Sequence, residues 1–280
     1  MRKVLIIILY FTSCYNVFCQ SAEVGIMIGA STYKGELNNH IVNTKFVHPA
    51  VGLFYRRCLN SFWSLRAGVN YGRISADDAR SNDSYQKFRN LSFRSDILEA
   101  NGIFEFNFFP FQTASESSAK VTPFLMFGIA VFHFNPKANL DGTWYELQPL
   151  GTEGQRSGQE TGAKNYSRVQ VSLPIGGGFK VKLSNRFSLA LEAAARKTYT
   201  DYLDDVSTTY PDVVQLAATN GPEAAALSDR SPLQNTNANA QHQRGNKSDK
   251  DWYLFSGLTI NWTLSKKYTD KCKPFRGKLR

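Results

Sequence analysis

Eight stretches of the chain alternate apolar and polar or small residues with a period of two. Val24, Ile26, Ile28 and Ala30 alternate with Gly25, Met27, Gly29 and Ser31, and Val51, Leu53 and Tyr55 with Ala50, Gly52 and Arg56. Trp63, Leu65, Ala67, Val69 and Tyr71 interleave with Ser64, Arg66, Gly68 and Asn70. In the fourth stretch Leu98, Ala100, Gly102, Phe104, Phe106 and Phe108 make one set, and Ile97, Glu99, Asn101, Ile103, Glu105 and Asn107 the other. The fifth, 124–134, is apolar in both sets; the last three lie around 168–180, 188–198 and 253–262. Successive side chains of a strand point to opposite faces, so each stretch predicts a strand with one apolar face.

The links between these stretches also alternate. LNS after Cys58 and LSNR after Lys182 are tight-turn sequences, and QTASESSAK is a polar link. The others are long, about residues 38–46, 75–92, 135–167 and 201–250. Short turns at one end, long loops at the other and an even strand number predict an all-β fold: an eight-stranded antiparallel transmembrane up-and-down β-barrel with long extracellular loops. Both mature termini then lie on the periplasmic side. Beyond Gln20 no stretch reaches the roughly 20 apolar residues of a spanning helix. Lipid cannot satisfy an open sheet edge, so the sheet must close with its apolar set outward.

That orientation turns Arg66, Lys180 and Arg196 inward with Glu99, Glu105 and Glu192. Buried charges are tolerable only when paired and hydrogen-bonded, and eight strands leave an interior that side chains fill, so a plugged lumen without an open channel is expected. An exported sandwich or lipocalin would need the polar set outside, where it offers too many glycines and too few charges. Trp63, Tyr71, Trp252 and Trp262 fall near strand ends, where aromatic girdles sit.

The ends of the chain add two regions. Residues 1–19 begin with Arg2 and Lys3, continue apolar from Val4 to Phe11 and end in shorter side chains, as a secretory signal peptide does. Residues 20–265 form the barrel and 266–280 a basic periplasmic tail. Of the +10 formal charge, the signal peptide carries two and the tail six, so the barrel itself holds only about +2. The basic balance therefore describes a tail, and export excludes nucleic acid as a partner.

Candidate chemistry is sparse. The histidines at 40, 48, 133 and 242 have no metal-ligand spacing, and no cofactor or catalytic motif is present. GGGFK at 176–180 reads as close backbone packing rather than a phosphate loop. A lipid-modifying barrel would need a His, a Ser and an acid near its outer rim; His133 with Asp96 or Ser95 is the nearest approach. DYLDDVSTTYPD at 201–212 concentrates four aspartates but lacks the order of a calcium loop, and reads as solvated loop acids. The 214–247 stretch, rich in Ala, Asn and Gln, reads as mobile. GTWYELQPLGTEGQ at 142–155 sets Trp144, Tyr145 and Leu147 beside Glu146 in a Gly-rich loop, either as a partner-binding anchor or as a lid over the barrel mouth.

YGRISADDARSND, RNLSFRSDILE, FHFNPKA, GTWYELQPLGTEGQ, YSRVQVSLPIGGGFK and RKTYTDYLDDVSTTYPD together resemble the PorG-type family of Bacteroidetes outer-membrane barrels, from about Ala22 to Trp262. The resemblance implies a non-enzymatic role in type IX secretion, in contact with the periplasmic ring formed by a lipoprotein and its partner protein, with no catalytic residues and no cofactor. The 214–247 stretch looks like an insertion relative to shorter members. A passive small barrel is the alternative.

Cleavage would leave Cys58 and Cys272, an even count that suits one disulfide in an exported chain. A Cys58–Cys272 bond would pin the tail across the lower mouth, presenting Lys266, Lys267, Lys271 and Lys273 to an acidic partner. Contact of the same cations with lipid or peptidoglycan is the other reading.

Overall fold

The computed structural model describes residues 21–115, 118–234 and 236–264. Nine strands form a single antiparallel sheet: β1 (Ala22–Lys34), β2 (His48–Cys58), β3 (Trp63–Asp77), β4 (Ser92–Asn107), β5 (Val121–Leu140), β6 (Thr143–Glu146), β7 (Val169–Lys182), β8 (Phe187–Thr198) and β9 (Trp252–Thr263). Neighbours in sequence pair around the ring; β9 returns to β1, and β5 pairs both β4 and β7. Eight strands thus close into a barrel, and β6 is a short addition to the end of β5. No helix among the described residues is long and apolar enough to cross a membrane.

The two-residue period sets the faces. Val24, Ile26, Ile28, Leu53, Val69, Leu98, Phe104, Leu125, Ile129, Ile175, Leu191 and Ile260 are all exposed on the outside. Their alternate neighbours, among them Phe54, Asn70, Glu99, Glu105, Met126, Ser172, Glu192 and Thr259, are buried inside. The outward apolar run of β4, from Leu98 to Phe108, has about the 9–11 residues a tilted transmembrane strand needs. Trp63 packs on Phe106, and Phe187 stacks on Trp262, at the rim carrying the short turns. Tyr71 is exposed near the other rim, and Trp252 there lies under Lys197.

The described residues begin and end at that short-turn rim, where Glu23 pairs Thr263 and Leu264 N–H donates to Ala22 C=O at 2.8 Å. The β2–β3 and β7–β8 turns are closed by Leu59 N–H to Trp63 C=O and by Leu183 N–H to Phe187 C=O. The three glycines 176–178 let neighbouring strands approach closely: a Cβ on Gly178 would stand 1.9 Å from Leu191 O.

The opposite end departs from expectation. Strands β3, β4 and β5 continue beyond the apolar band, and β5 turns back through Asp141 and Gly142, with φ of 51° and 89°, into β6. An Asp-Gly pair at positive φ is the two-residue hairpin turn that strand twist favours, so residues 142–146 are ordered hairpin rather than loop. The 214–247 stretch is not without regular structure either: α3 (Val213–Asn220) and α4 (Pro222–Ser228) occupy its first part, with Leu216, Ala224 and Leu227 buried. Asp212 caps α3 by accepting from Val214 and Gln215 N–H. Two shorter helices, α1 (Ser84–Arg89) and α2 (Leu147–Leu150), complete the cap.

The hydrophobic core is inside the barrel. Tyr33, Phe93, Ile97, Phe132, Phe134, Tyr253 and Phe255 fill the upper lumen, with Leu147, Leu203, Val206 and Leu227 of the loops packed above. A smaller cluster of Ile103, Phe124, Met126, Ala190 and Ala194 lies lower.

Candidate functional site

Interleaved with those two apolar clusters are buried, paired charges. Glu105 accepts from Arg56 Nη2 at 3.1 Å and Lys180 Nζ at 2.6 Å, with Arg66 3.6 Å away. Arg66 Nη1 also reaches both oxygens of Glu192 at 2.9 Å. Higher up, Arg196 donates to Glu99 through Nε and Nη2 at 3.0 and 3.3 Å, and Tyr253, Asn70 and Asn101 complete the Glu99 carboxylate. All six residues expected in the lumen are there and buried.

Two more belong with them that the sequence reading left out: Arg56 Nη1 pairs with Glu23 at 2.9 Å. With them the network holds four cations and four anions. Both were legible, since Arg56 stands on the polar face of its strand and Glu23 shares the parity of Gly25 and Met27. The phenyl faces of Phe54, Phe124 and Phe255 lie 3.6–4.8 Å from Arg66, Lys180 and Arg196. Among the described residues, ion pairs and aromatic faces fill the lumen at this level.

The lower mouth is stopped by the link after β4. Phe111, Gln112, Thr113, Ala114 and Ser115 are buried, and Thr113 Oγ1 donates to Glu23 Oε1 at 2.6 Å. Cys58 is buried at this rim, its N–H on Ser21 C=O. No disulfide joins the described residues; Cys272, Lys266, Lys267, Lys271 and Lys273 lie outside them, as does the signal peptide.

The upper mouth is covered by loops that knit to one another. Glu153 is wholly buried and accepts from the Ser207 and Thr208 N–H groups, the Thr208 hydroxyl and Arg244 Nη1. Arg244 donates onward to Asp205 C=O and Ser228 C=O. Thr152 and Tyr166 donate to the Asp205 carboxylate, the latter at 2.7 Å. Burial raises the Asp205 carboxyl to about 6. Arg89 grips Asp78 through two bonds, of 2.7 and 3.0 Å.

Under this lid three of the four aspartates of 201–212 are not solvated, and only Asp212 is partly exposed. Asp201 is 2% exposed, Asp204 2% and Asp205 0%, because the run crosses the barrel mouth instead of leaving it. Oxygens of Glu36, Asp201 and Asp251 lie within 4.8 Å of one another, and Asp204 joins them through Tyr33, whose hydroxyl donates to Asp204 Oδ2 at 2.5 Å. Burial is the first cause of high proton affinity here, reinforced by neighbouring carboxylates at Glu36, Asp201 and Asp251. Glu36 is raised to about 10 and Asp201 to about 8. Asp204 is raised to about 7, and Asp251 well above the ordinary range.

Of the loop residues expected to anchor a partner, Tyr145 is half-buried and Leu147 packs into the core, so that part of the loop is a lid. Trp144 stays exposed on the hairpin, 3.4 Å beneath the Arg94 guanidinium. Glu146 accepts from the Asn135 amide and pairs with Lys137 and Arg168 at 3.2 and 2.8 Å, and the Asn135 bond first, then these cations, lower its carboxyl to about 2. His133 faces outward while Ser95 is buried inside, with its hydroxyl accepting from Asn135 N–H. Asp96 is engaged by Arg73 at 2.7 Å. The three residues that would build a lipid-modifying site therefore do not converge.

Residues 2–149, which include the whole of β1 through β5 and β6, match the model of a family described as a domain of unknown function, DUF6089. The chain belongs to the DUF6089 family. No curated protein matches it significantly. Among solved structures, this DUF6089 barrel is similar to Ail, the attachment invasion locus protein of Yersinia pestis, at 10% identity and a TM-score of 0.39 over 87% of this chain and 98% of that one. Neisserial surface protein A is similar at 9% identity and 0.38, over 87% and 96%. OprG of Pseudomonas aeruginosa is similar at 9% and 0.37, over 87% and 94%. These likenesses concern architecture alone, and the closure of the barrel rests on its own strand register.

Proposed function

We propose that the protein is a non-enzymatic outer-membrane barrel that serves as a docking component of the type IX secretion machinery, held in lipid by its apolar exterior. The filled lumen carries this reading. A barrel whose interior is occupied by four cations, four carboxylates and two apolar clusters offers no conduit, so its work falls to its two rims. The rim with the short turns and both chain ends is assigned to the periplasm, because such barrels carry their long loops outside. There the tail cations would meet the periplasmic ring proteins, which the resemblance to PorG-type barrels names as partners.

Deleting the gene and measuring export of type IX cargo tests the role: cargo retained in the periplasm is expected, and normal export would remove it. Recovery of ring proteins with the full-length barrel, lost when Lys266, Lys267, Lys271 and Lys273 are neutralised, tests the contact. Steady conductance in a planar bilayer would favour a passive barrel instead.

A further inference from the structure

We propose that Glu36, Asp201 and Asp251 bind a calcium ion beneath the extracellular cap, with Asp204 beside them. Their oxygens converge to within 4.8 Å. Two ligands of one calcium ion, each at about 2.3–2.6 Å, stand no more than about 5 Å apart, so a single ion can touch all three side chains.

The second observation is what the oxygens lack. Asp201 is 2% exposed, and neither of its carboxylate oxygens has a hydrogen-bond partner in good geometry; the nearby Ser207 side chain only partly offsets the effect of burial on it. Glu36 Oε2 is likewise unpartnered. Tyr33 has one hydroxyl proton, given to Asp204, so its 3.4 Å approach to Asp251 Oδ1 leaves that oxygen available too. Buried polar atoms are nearly always satisfied, and three converging carboxylates, two of them carrying unpartnered oxygens, call for a cation.

The nearby protein cations have other partners. Arg89 holds Asp78, Arg244 holds Glu153, and Lys250 donates to Lys247 C=O. Glycine at 35 keeps the space open, since a Cβ there would fall 2.0 Å from Tyr33 Oη and 2.1 Å from Asp251 Oδ1. An ion has ways in, because Glu36 lines a surface cavity of about 270 Å³ and Asp201 another of about 350 Å³. Calcium suits the site better than magnesium. It takes several carboxylates in irregular geometry, whereas magnesium keeps most of its water and wants a regular octahedron. The ligands come from the first long loop and from both ends of the last, so the ion would tie those loops together across the barrel mouth.

The test uses full-length protein in detergent, stripped with EDTA and titrated with calcium chloride alone at neutral pH by calorimetry. One saturable calcium ion per chain is expected, together with slower protease cleavage of residues 199–251. Asp201→Asn and Glu36→Gln should each weaken binding at least tenfold, while Asp141→Asn at the distant hairpin tip leaves it unchanged. Heat-modifiable migration on gels reports that each variant has kept its barrel, and the wild-type titration decides alone should both variants fail to fold. No saturable uptake by wild-type protein, uptake undiminished in folded Asp201→Asn and Glu36→Gln, or magnesium bound as tightly as calcium would each overturn the assignment. The result is independent of the secretion role, since a cap site can fail while docking at the other rim holds.

Discussion

The middle of the lumen and the space beneath the cap both bury carboxylates, with opposite solutions. In the lumen Glu23, Glu99, Glu105 and Glu192 each face an arginine or lysine at 2.6–3.0 Å. Under the cap Glu36, Asp201 and Asp251 face mainly one another, Asp204 beside them is held by the Tyr33 hydroxyl and Val206 N–H, and the arginines nearby are committed elsewhere. A buried charge is stable only when something repays its lost hydration. The lumen carries that compensation within the fold, and the cap leaves it to protons or to an ion from outside. The first region should therefore behave as fixed structure and the second as a part whose stability depends on the medium.

Substitution at Glu105 breaks the comparison hardest. Glu105→Ala leaves Arg56, Lys180 and Arg66 without their shared carboxylate, and removing one member of a buried pair costs about 3–5 kcal/mol. Urea unfolding in vesicles should show that loss, and replacing Lys180 with Met in the same chain should restore part of it. Glu153→Ala is expected to cost the cap slightly less, about 3 kcal/mol, because Arg244 and two backbone N–H groups lose their acceptor. It should speed proteolysis within 199–251 while the barrel still migrates as folded.

Asp201→Asn should act with the opposite sign in metal-free buffer. The Asp201 carboxyl is raised to about 8 in the folded chain, while the unfolded chain ionises near its ordinary value. Folding thus favours the protonated form, and stability falls as pH rises from about 4 to about 8. Asparagine avoids this loss, so above pH 8 without calcium the variant should resist protease better than wild type, by on the order of 1 kcal/mol. Greater sensitivity of the variant under those conditions would mean that the cap acids are compensated after all.

Two smaller effects sharpen the contrast at the exposed hairpin. Trp144→Ala removes the Arg94 contact and should cost about 0.5–1 kcal/mol, leaving the barrel unchanged. Glu146 titrates the other way from Asp201, its carboxyl being lowered to about 2 by the Asn135 amide, Lys137 and Arg168. Its contribution is present above about pH 4.5 and disappears as pH falls toward 2. For so exposed a pair it should amount to less than about 1 kcal/mol, readable as the pH dependence of Trp144 fluorescence.

Alternation along each stretch was sufficient to assign inside and outside, because a strand's side-chain direction is a local property with a period of two. Arg66, Glu99, Glu105, Lys180, Glu192 and Arg196 could be placed in the lumen on that basis, and Arg56 stood in plain view on the same face. The Asp-Gly pair at 141–142 was likewise a local hairpin signal, hidden by reading the surrounding glycines as a flexible loop. Glu23 followed the same rule, since it shares the parity of Gly25 and Met27.

The cap had no such rule to follow. Residues 201–205 look like solvated acids and 214–247 like mobile chain, since their composition is polar and has no period. What buries them is distant in sequence: Tyr33 reaches Asp204, Glu153 receives Ser207 and Thr208, and Arg89 touches Arg244. The sequence by itself determined the barrel, its two faces and the balance of charge within it, because pleating and the demand of lipid for a closed sheet act residue by residue. Only the tertiary structure decided the stopper, the knitted cap and the gathering of four carboxylates at the mouth. Those depend on which loops meet once the cylinder has closed, and neither period nor composition encodes that meeting.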